Sequence, residues 1–215
     1  LAISKAKGDF IARMDSDDIA HPSRLKKQFE YLNQNPDIDL LGSAVRRIDE
    51  NGELIRLEDV PVSPEEINKS LKYNCCVIHP TFFFKKEVFN RVGGYRKEFI
   101  YAQEYDFLLR ARNKNINIAN QADYLLDYRD YSSKQSNFVK DFNQSRFARL
   151  AKELDRERNK FGTESEKTFS QVRKIEDVSY YQRLVYTSFL NLNSLASKLK
   201  GIKRYIIRIF SILIG

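Results

Sequence analysis

The sequence predicts an α/β chain over residues 1–131, followed by an α-helical extension. Short apolar runs of strand length alternate with stretches whose apolar residues recur at helical spacing. Gly, Pro and Asn-Gly signals separate the runs where a sheet-and-helix chain must turn. From Lys134 onward the strand-like runs stop and the pattern is helical and charged.

Ala2–Lys7 reads as the end of a helix terminated by Gly8, and Phe10–Met14 as a buried strand. Pro22 to about Asn35 is expected to be amphipathic, with Leu25, Phe29 and Leu32 on its inward face and Pro36 ending it. Ile38–Ile48 reads as a strand that Asn51-Gly52 turns into a second one at Glu53–Leu57. Pro64–Lys72 is a short helix with acidic residues in its first turn. Val77–Phe84 is expected to be a strand, edge or bulged because Pro80 interrupts it. Lys86–Val92 is a helix closed by Gly93-Gly94, Gln103–Asn113 a helix, and Asp123–Tyr131 extended. Beyond these, Phe138, Phe142, Phe147, Leu150 and Leu154 outline one apolar stripe. Gly162–Glu166 breaks it, and a second long helix is expected from Lys167 to about Lys200.

Hydrophobic residues make up 42% of the 215 and charged residues 31%, which excludes a disordered chain. The net charge of +8 is unevenly spread. Residues 1–130 hold 20 Lys and Arg against 21 Asp and Glu; residues 131–215 hold 17 against 8. No acidic residue follows Asp177. Such a tail fits an anionic surface as partner. In residues 199–215, Leu199, Ile202, Ile206, Ile209 and Leu213 share a helical face with Lys and Arg off it. The apolar part is too short to span a bilayer, which needs about 20 residues, so an interfacial basic helix is expected. The competing reading is a helix docked on protein. Cys75 and Cys76 are adjacent, cannot readily bridge, and read as packing residues of a reducing compartment. With only His21 and His79, a histidine-rich metal site is excluded. The chain opens at Leu1 inside a helical stretch with no signal peptide ahead of it, so an absent amino-terminal portion is expected.

The turn Asp15-Ser16-Asp17-Asp18 follows the first strand. Carboxylates crowded at a strand end repel one another unless a cation sits among them. One or two carboxylates completed by phosphate oxygens suit Mg²⁺ or Mn²⁺, and ligands of open α/β sheets bind at the carboxyl ends of strands. The competing reading is a solvated turn in which Asp17 or Asp18 caps the next helix.

Further segments stand in order behind that turn: His79-Pro80-Thr81, Val92-Gly93-Gly94-Tyr95, Gln103-Glu104-Tyr105-Asp106 running on to Arg110, and Tyr128-Arg129. With the run from Ala2 to Asp15, this set resembles the inverting family 2 glycosyltransferases of the GT-A fold, over about residues 1–131. The resemblance implies a Rossmann-like mixed sheet, of which this chain would supply the carboxyl-terminal half, with residues 132–198 as the helical extension and 199–215 as the tail. It implies a nucleotide-sugar donor, a glycan or lipid-linked acceptor, and a divalent metal, Mn²⁺ or Mg²⁺. The product would be a cell-surface polysaccharide, made at the cytoplasmic face of a membrane that the tail could grip; nucleic acid is not an expected partner. Asp15 would contact the donor and Asp17 the metal on its diphosphate, with Asp18 as support or cap. Inversion needs one general base to take the acceptor's proton. The matching position is Glu104, where the family usually has Asp; Asp106 is the rival. The two lie about 200° apart on a helix, so both cannot face one cleft. Asp106 has Arg110 at i+4 as a structural partner.

The remaining positions each have two readings. His79 is a pocket wall or a histidine satisfied at a bulge. Gly94, with Gly93, shapes the sugar pocket or permits a tight turn. Arg129 pairs with phosphate or makes a surface salt bridge. The alternative function is a non-catalytic basic helical module binding membrane, nucleic acid or a partner; a third is an inactive product of a truncated gene. If the first strands are absent, the 215 residues alone are expected to bind sugar nucleotide weakly or not at all; micromolar binding by calorimetry with Mn²⁺ would overturn that.

Overall fold

The computed structural model describes residues 2–131 and 138–173. The expected helix beyond Arg173 and the basic tail at 199–215 lie outside the described residues. A mixed sheet runs in the order β1 (Phe10–Ala12), β5 (Phe83–Lys85), β3 (Leu40–Ile48), β6 (Ile118–Arg129), β2 (Ile19–Ala20). β3 and β6 are parallel and the other pairs antiparallel. β4 (Leu54–Glu58) shares an edge of β3 with β5: β5 pairs the start of β3 and β4 its end. Asp49 caps the β3–β4 turn through the amides of Asn51 and Glu53, and Gly52 supplies φ +92° there.

Helices α1 (Ala2–Lys5), α2 (Arg24–Gln34), α3 (Pro64–Ser70), α4 (Lys86–Val92) and α5 (Gln103–Asn113) follow the expected order. α3 opens with a capping box between Ser63 and Glu66, and α4 closes on Gly93 at φ +91°. Leu40, Leu41, Phe82, Phe84, Phe107 and Leu108 are fully buried between sheet and helices.

Three local expectations need correction. α2 buries Arg24, Gln28 and Leu32, while Leu25 and Phe29 are 57% and 43% exposed. The inward face is polar because it is hydrogen-bonded. Arg24 donates to the Arg13 carbonyl at 2.7 Å and to Gln28 Oε1 at 3.0 Å, and Gln28 donates to the Thr81 carbonyl at 2.9 Å. Second, the Val77–Phe84 run is a strand only at its end, because His79–Thr81 forms a 3₁₀ turn. Pro80 has no N–H for a ladder, and Thr81 instead ties the turn to β3 by accepting the Ser43 amide at 3.0 Å. Third, β6 begins at Ile118, before the expected Asp123, because its register against Leu40–Ser43 of β3 starts there.

α6 (Phe138–Phe161) and α7 (Glu166–Arg173) form the described part of the extension, with Gly162 at the break. Phe147, Leu150 and Leu154 of the expected stripe are buried, and Phe147 packs on Phe99 and Tyr101. The side chains of Phe138 and Phe142 lie outside the description. Ion pairs reinforce the seam: Arg112 with Asp155 at 2.5 Å, Arg96 with Glu164 at 2.8 Å, and Arg158 with Glu164. No described helix is long and apolar enough to cross a membrane.

Candidate active site

β1 delivers the acidic turn. Beyond its last residue, the Arg13 amide donates to the Phe82 carbonyl at 2.9 Å, continuing the pairing toward Asp15. Arg13 grips the Asp15 carboxylate with both terminal nitrogens, at 2.5 and 2.8 Å. Asp17 is exposed. Asp18 is 8% exposed; its Oδ1 accepts the Arg129 amide at 2.9 Å and its Oδ2 has no partner among the described residues. Burial raises the Asp18 pKa, the Arg129 amide opposes that, and the charges of Asp15 and Asp17 add to the rise. Neither Asp17 nor Asp18 caps α2: Ser23 holds the cap position.

Arg129 is engaged by backbone oxygens of two turns. Its Nε donates to the Asp17 carbonyl, and one terminal nitrogen to the carbonyls of Asp49 and Glu50, all at 2.9 Å. It therefore clamps the acidic turn to the β3–β4 hairpin through backbone oxygens.

A cleft of about 390 Å³ brings together Asp15, His79 and Glu104, residues far apart in sequence, with Arg47, Tyr128 and Gln144 also in its wall. Two larger clefts, of about 830 and 930 Å³, lie toward the other end of α5 and contain none of the three. His79 Nε2 meets the Tyr95 hydroxyl at 2.8 Å, and its ring lies edge-on to Phe82 and Tyr95. Burial, helped by the charge of Arg13, pushes the His79 pKa down to about 3, so the ring is neutral at physiological pH. It lines the cleft, and its Nε2 is satisfied. Gly94 sits at φ +68°, where a Cβ would come within 3.1 Å of the Phe89 ring; its carbonyl accepts from Arg110 at 2.7 Å. Gly94 serves the turn and lies outside the cleft wall.

α5 separates the two rival carboxylates. Asp106 is fully buried and bonded to Arg110 Nε at 2.9 Å, with Arg96 at 3.7 Å. Burial raises its pKa, and the charges of Arg110 and Arg96 oppose the rise. Glu104 faces the cleft and accepts from Gln144 Nε2 at 3.2 Å. Cys75, beside it, is held by burial well above the usual thiol range, and Cys76 is pushed up to about 11. Both stay thiols, as their packing role expects.

Sequence reasoning missed Arg47, Glu58 and Gln144. Arg47 bonds Glu58 at 2.6 Å and stacks 4.0 Å over the Tyr128 ring. Desolvation works against its charge, but Glu58 outweighs that and raises its pKa. The Arg46-Arg47 pair inside an apolar strand was the available signal. Gln144 had none, because only apolar spacing was legible in that stretch.

Among the described residues no three His, Cys, Asp or Glu gather in a metal-binding group. A Mg²⁺ or Mn²⁺ held by one or two carboxylates and a diphosphate needs no such group. Asp15 and Asp17 are hard oxygen donors, and the unpartnered Oδ2 of Asp18 is a buried acceptor on the same turn. These residues fit such an ion.

Residues 1–93 match the family model "Glycosyl transferase family 2". That match covers 93 of the 215 residues and takes in the acidic turn and His79. It is 43% identical over 130 residues to the O-antigen biosynthesis glycosyltransferase WbnJ of Escherichia coli, covering 60% of this chain and 50% of that protein. It is 31% identical over 127 residues to the amylovoran biosynthesis glycosyltransferase AmsE of Erwinia amylovora, covering 59% and 47%. A solved structure, S. aureus TarS 1-349 in complex with UDP, aligns with 80% of this chain and 47% of its own at TM-score 0.49 and 17% identity. The chain spans about half the length of the curated relatives it matches. The family match ends at residue 93, before α5 and Glu104.

Proposed function

We propose that the cleft is the transfer site of a metal-dependent, inverting glycosyltransferase, with Asp15 contacting the nucleotide-sugar donor and Glu104 as general base. One observation carries this reading. Of the carboxylates lining the cleft, Asp15 is paired with Arg13 and Glu58 with Arg47, whereas among the described residues Glu104 meets a neutral amide. A carboxylate not committed to a cation is the one available to take a proton from an acceptor hydroxyl. Asp106, locked in its buried pair, is not.

Asp17 is the proposed metal ligand, with Asp18 behind it. A divalent ion there would offset the charge developing on the leaving diphosphate. Arg129 ties the turn that carries these carboxylates to the hairpin. Neutral His79 adds an uncharged wall, its Nε2 held by the Tyr95 hydroxyl. The relatives named for O-antigen and amylovoran biosynthesis support a cell-surface polysaccharide as product and a glycan or lipid-linked acceptor. The proposed setting is the cytoplasmic side of a membrane, with residues 199–215 as a peripheral contact. The alternative of a non-catalytic basic module draws mainly on the excess of cations outside the described residues.

The test is nucleoside diphosphate release by the native protein from a panel of UDP- and dTDP-sugars with Mn²⁺. Release should need the metal and fall about 10²–10⁴-fold in Glu104→Gln. Turnover indifferent to both EDTA and Glu104→Gln would refute the reading.

A further inference from the structure

We propose that Gln144, on α6, is a positioning residue for Glu104, so that the helical extension completes the transfer site. This rests on the general-base role just proposed.

α5 starts in an unusual way. Ala102, at its N-cap, adopts φ +51°, a left-handed conformation rare for a residue with a Cβ, and no side chain of its own can cap the helix. Ala102 is 2% exposed, so its N–H must find an internal acceptor. That acceptor is Gln144 Oε1, at 3.2 Å. Once the amide oxygen faces the Ala102 N–H, the amide nitrogen must face the other way. There it donates to Glu104 Oε1 at 3.2 Å. One side chain thus spans the helix start and the carboxylate two residues on, and the chemistry of both partners sets its orientation.

Gln144 is itself held. Phe147, three residues on, is 1% exposed and packs on Phe99 and Tyr101, just before Ala102, and Leu150 and Leu154 continue the buried seam. Gln144 also lines the cleft alongside Asp15 and His79. Glutamate has one more methylene than the aspartate expected at position 104, hence one more free torsion. Its carboxylate has no cation to hold it among the described residues. A neutral donor restrains that torsion without tying up the proton-accepting charge, as an arginine would.

The variants are chosen to separate capping from positioning. Gln144→Glu keeps an oxygen for the Ala102 N–H and removes the donor to Glu104; Gln144→Met removes both. In the native protein, Gln144→Glu should keep the donor KM within about twofold and lower Tm, because its carboxylate meets that of Glu104 and the two repel. Its kcat should fall about tenfold to a hundredfold, the scale of a misplaced catalytic group. In a Glu104→Gln background the same substitution should cost nothing further, because residues acting as a unit are not additive. Wild-type kcat in Gln144→Glu, or an equal fold-loss in both backgrounds, would overturn the proposal. If Glu104→Gln itself turns over normally, the base assignment falls and the positioning role with it. A readout independent of turnover is the Gln144 side-chain amide resonance, which should move on Glu104→Gln. An unmoved resonance would overturn the contact itself. Absence of turnover with every donor, beside a resonance that moves, would instead refute the glycosyltransferase reading and leave the contact standing.

Discussion

Replacing Asp106 by Ala removes the centre of the ion network at α5. The carboxylate is fully buried, and it accepts from Arg110 Nε at 2.9 Å with Arg96 3.7 Å away. Arg110 is 5% exposed and cannot turn to water. Breaking a buried pair from one side costs about 3–5 kcal/mol, because the remaining charge stays buried. Arg110 keeps two acceptors, the Val92 carbonyl at 2.9 Å and the Gly94 carbonyl at 2.7 Å. The loss should therefore sit at the lower end, about 3 kcal/mol. Domains of this size have about 5–15 kcal/mol in all, and lose about 2–4 °C per kcal/mol, so Tm should drop by about 6–12 °C. Urea titration should show a lower midpoint at unchanged slope. A loss under about 1 kcal/mol would refute the structural account of Asp106. So would a hundredfold fall in kcat for Asp106→Asn at wild-type stability, which would make Asp106 the base.

Asp18→Asn should stabilise the chain at pH 7. Burial raises the folded pKa above the unfolded value of about 3.9, so above the raised value only the folded state bears the cost of a desolvated charge. That cost disappears as pH falls through the raised value and below about 3.9, where both states are protonated. Melts from pH 7 to 3.5 should show the gain fading with acid; a constant gain would refute the sign. Gly42→Ala should cost about 1–3 kcal/mol in urea, since a Cβ would meet Asn120 Oδ1 at 2.2 Å and Val77 Cγ1 at 2.6 Å inside the core. Ser63→Ala should cost about 1 kcal/mol by dismantling the capping box at α3, without changing donor KM.

The limits of α4 and α5 were legible because local signals decide them: Gly93 past the end of one, and unbroken helical spacing through the other. The face that α2 buries was not. Helical spacing nominated Leu25 and Phe29, but acceptors brought by Arg13 and Thr81 draw Arg24 and Gln28 inward. Pro80 was read correctly as an interruption, but the edge or bulged strand expected there is a 3₁₀ turn, which Thr81 ties to Ser43 in a different strand. At the candidate site, Asp15, His79 and Glu104 could be named from ordered segments. Their meeting in one cleft, and the participation of Arg47 and Gln144, could not.

The sequence by itself determined the alternation of strands and helices, the acidic turn after β1, the family resemblance and the basic carboxyl-terminal third. Each of these is written in neighbouring residues, through spacing, caps and charge. The tertiary structure decided which carboxylates are committed. Asp106 and Glu104 are two residues apart and chemically alike, yet one is sealed against Arg110 and the other opens on the cleft. That difference arises from a half-turn of helix set against a particular neighbour, and only the packed chain specifies the neighbour. Arg129 shows the same limit: its charge was visible, but the three backbone carbonyls its side chain binds come from two turns far from it in sequence.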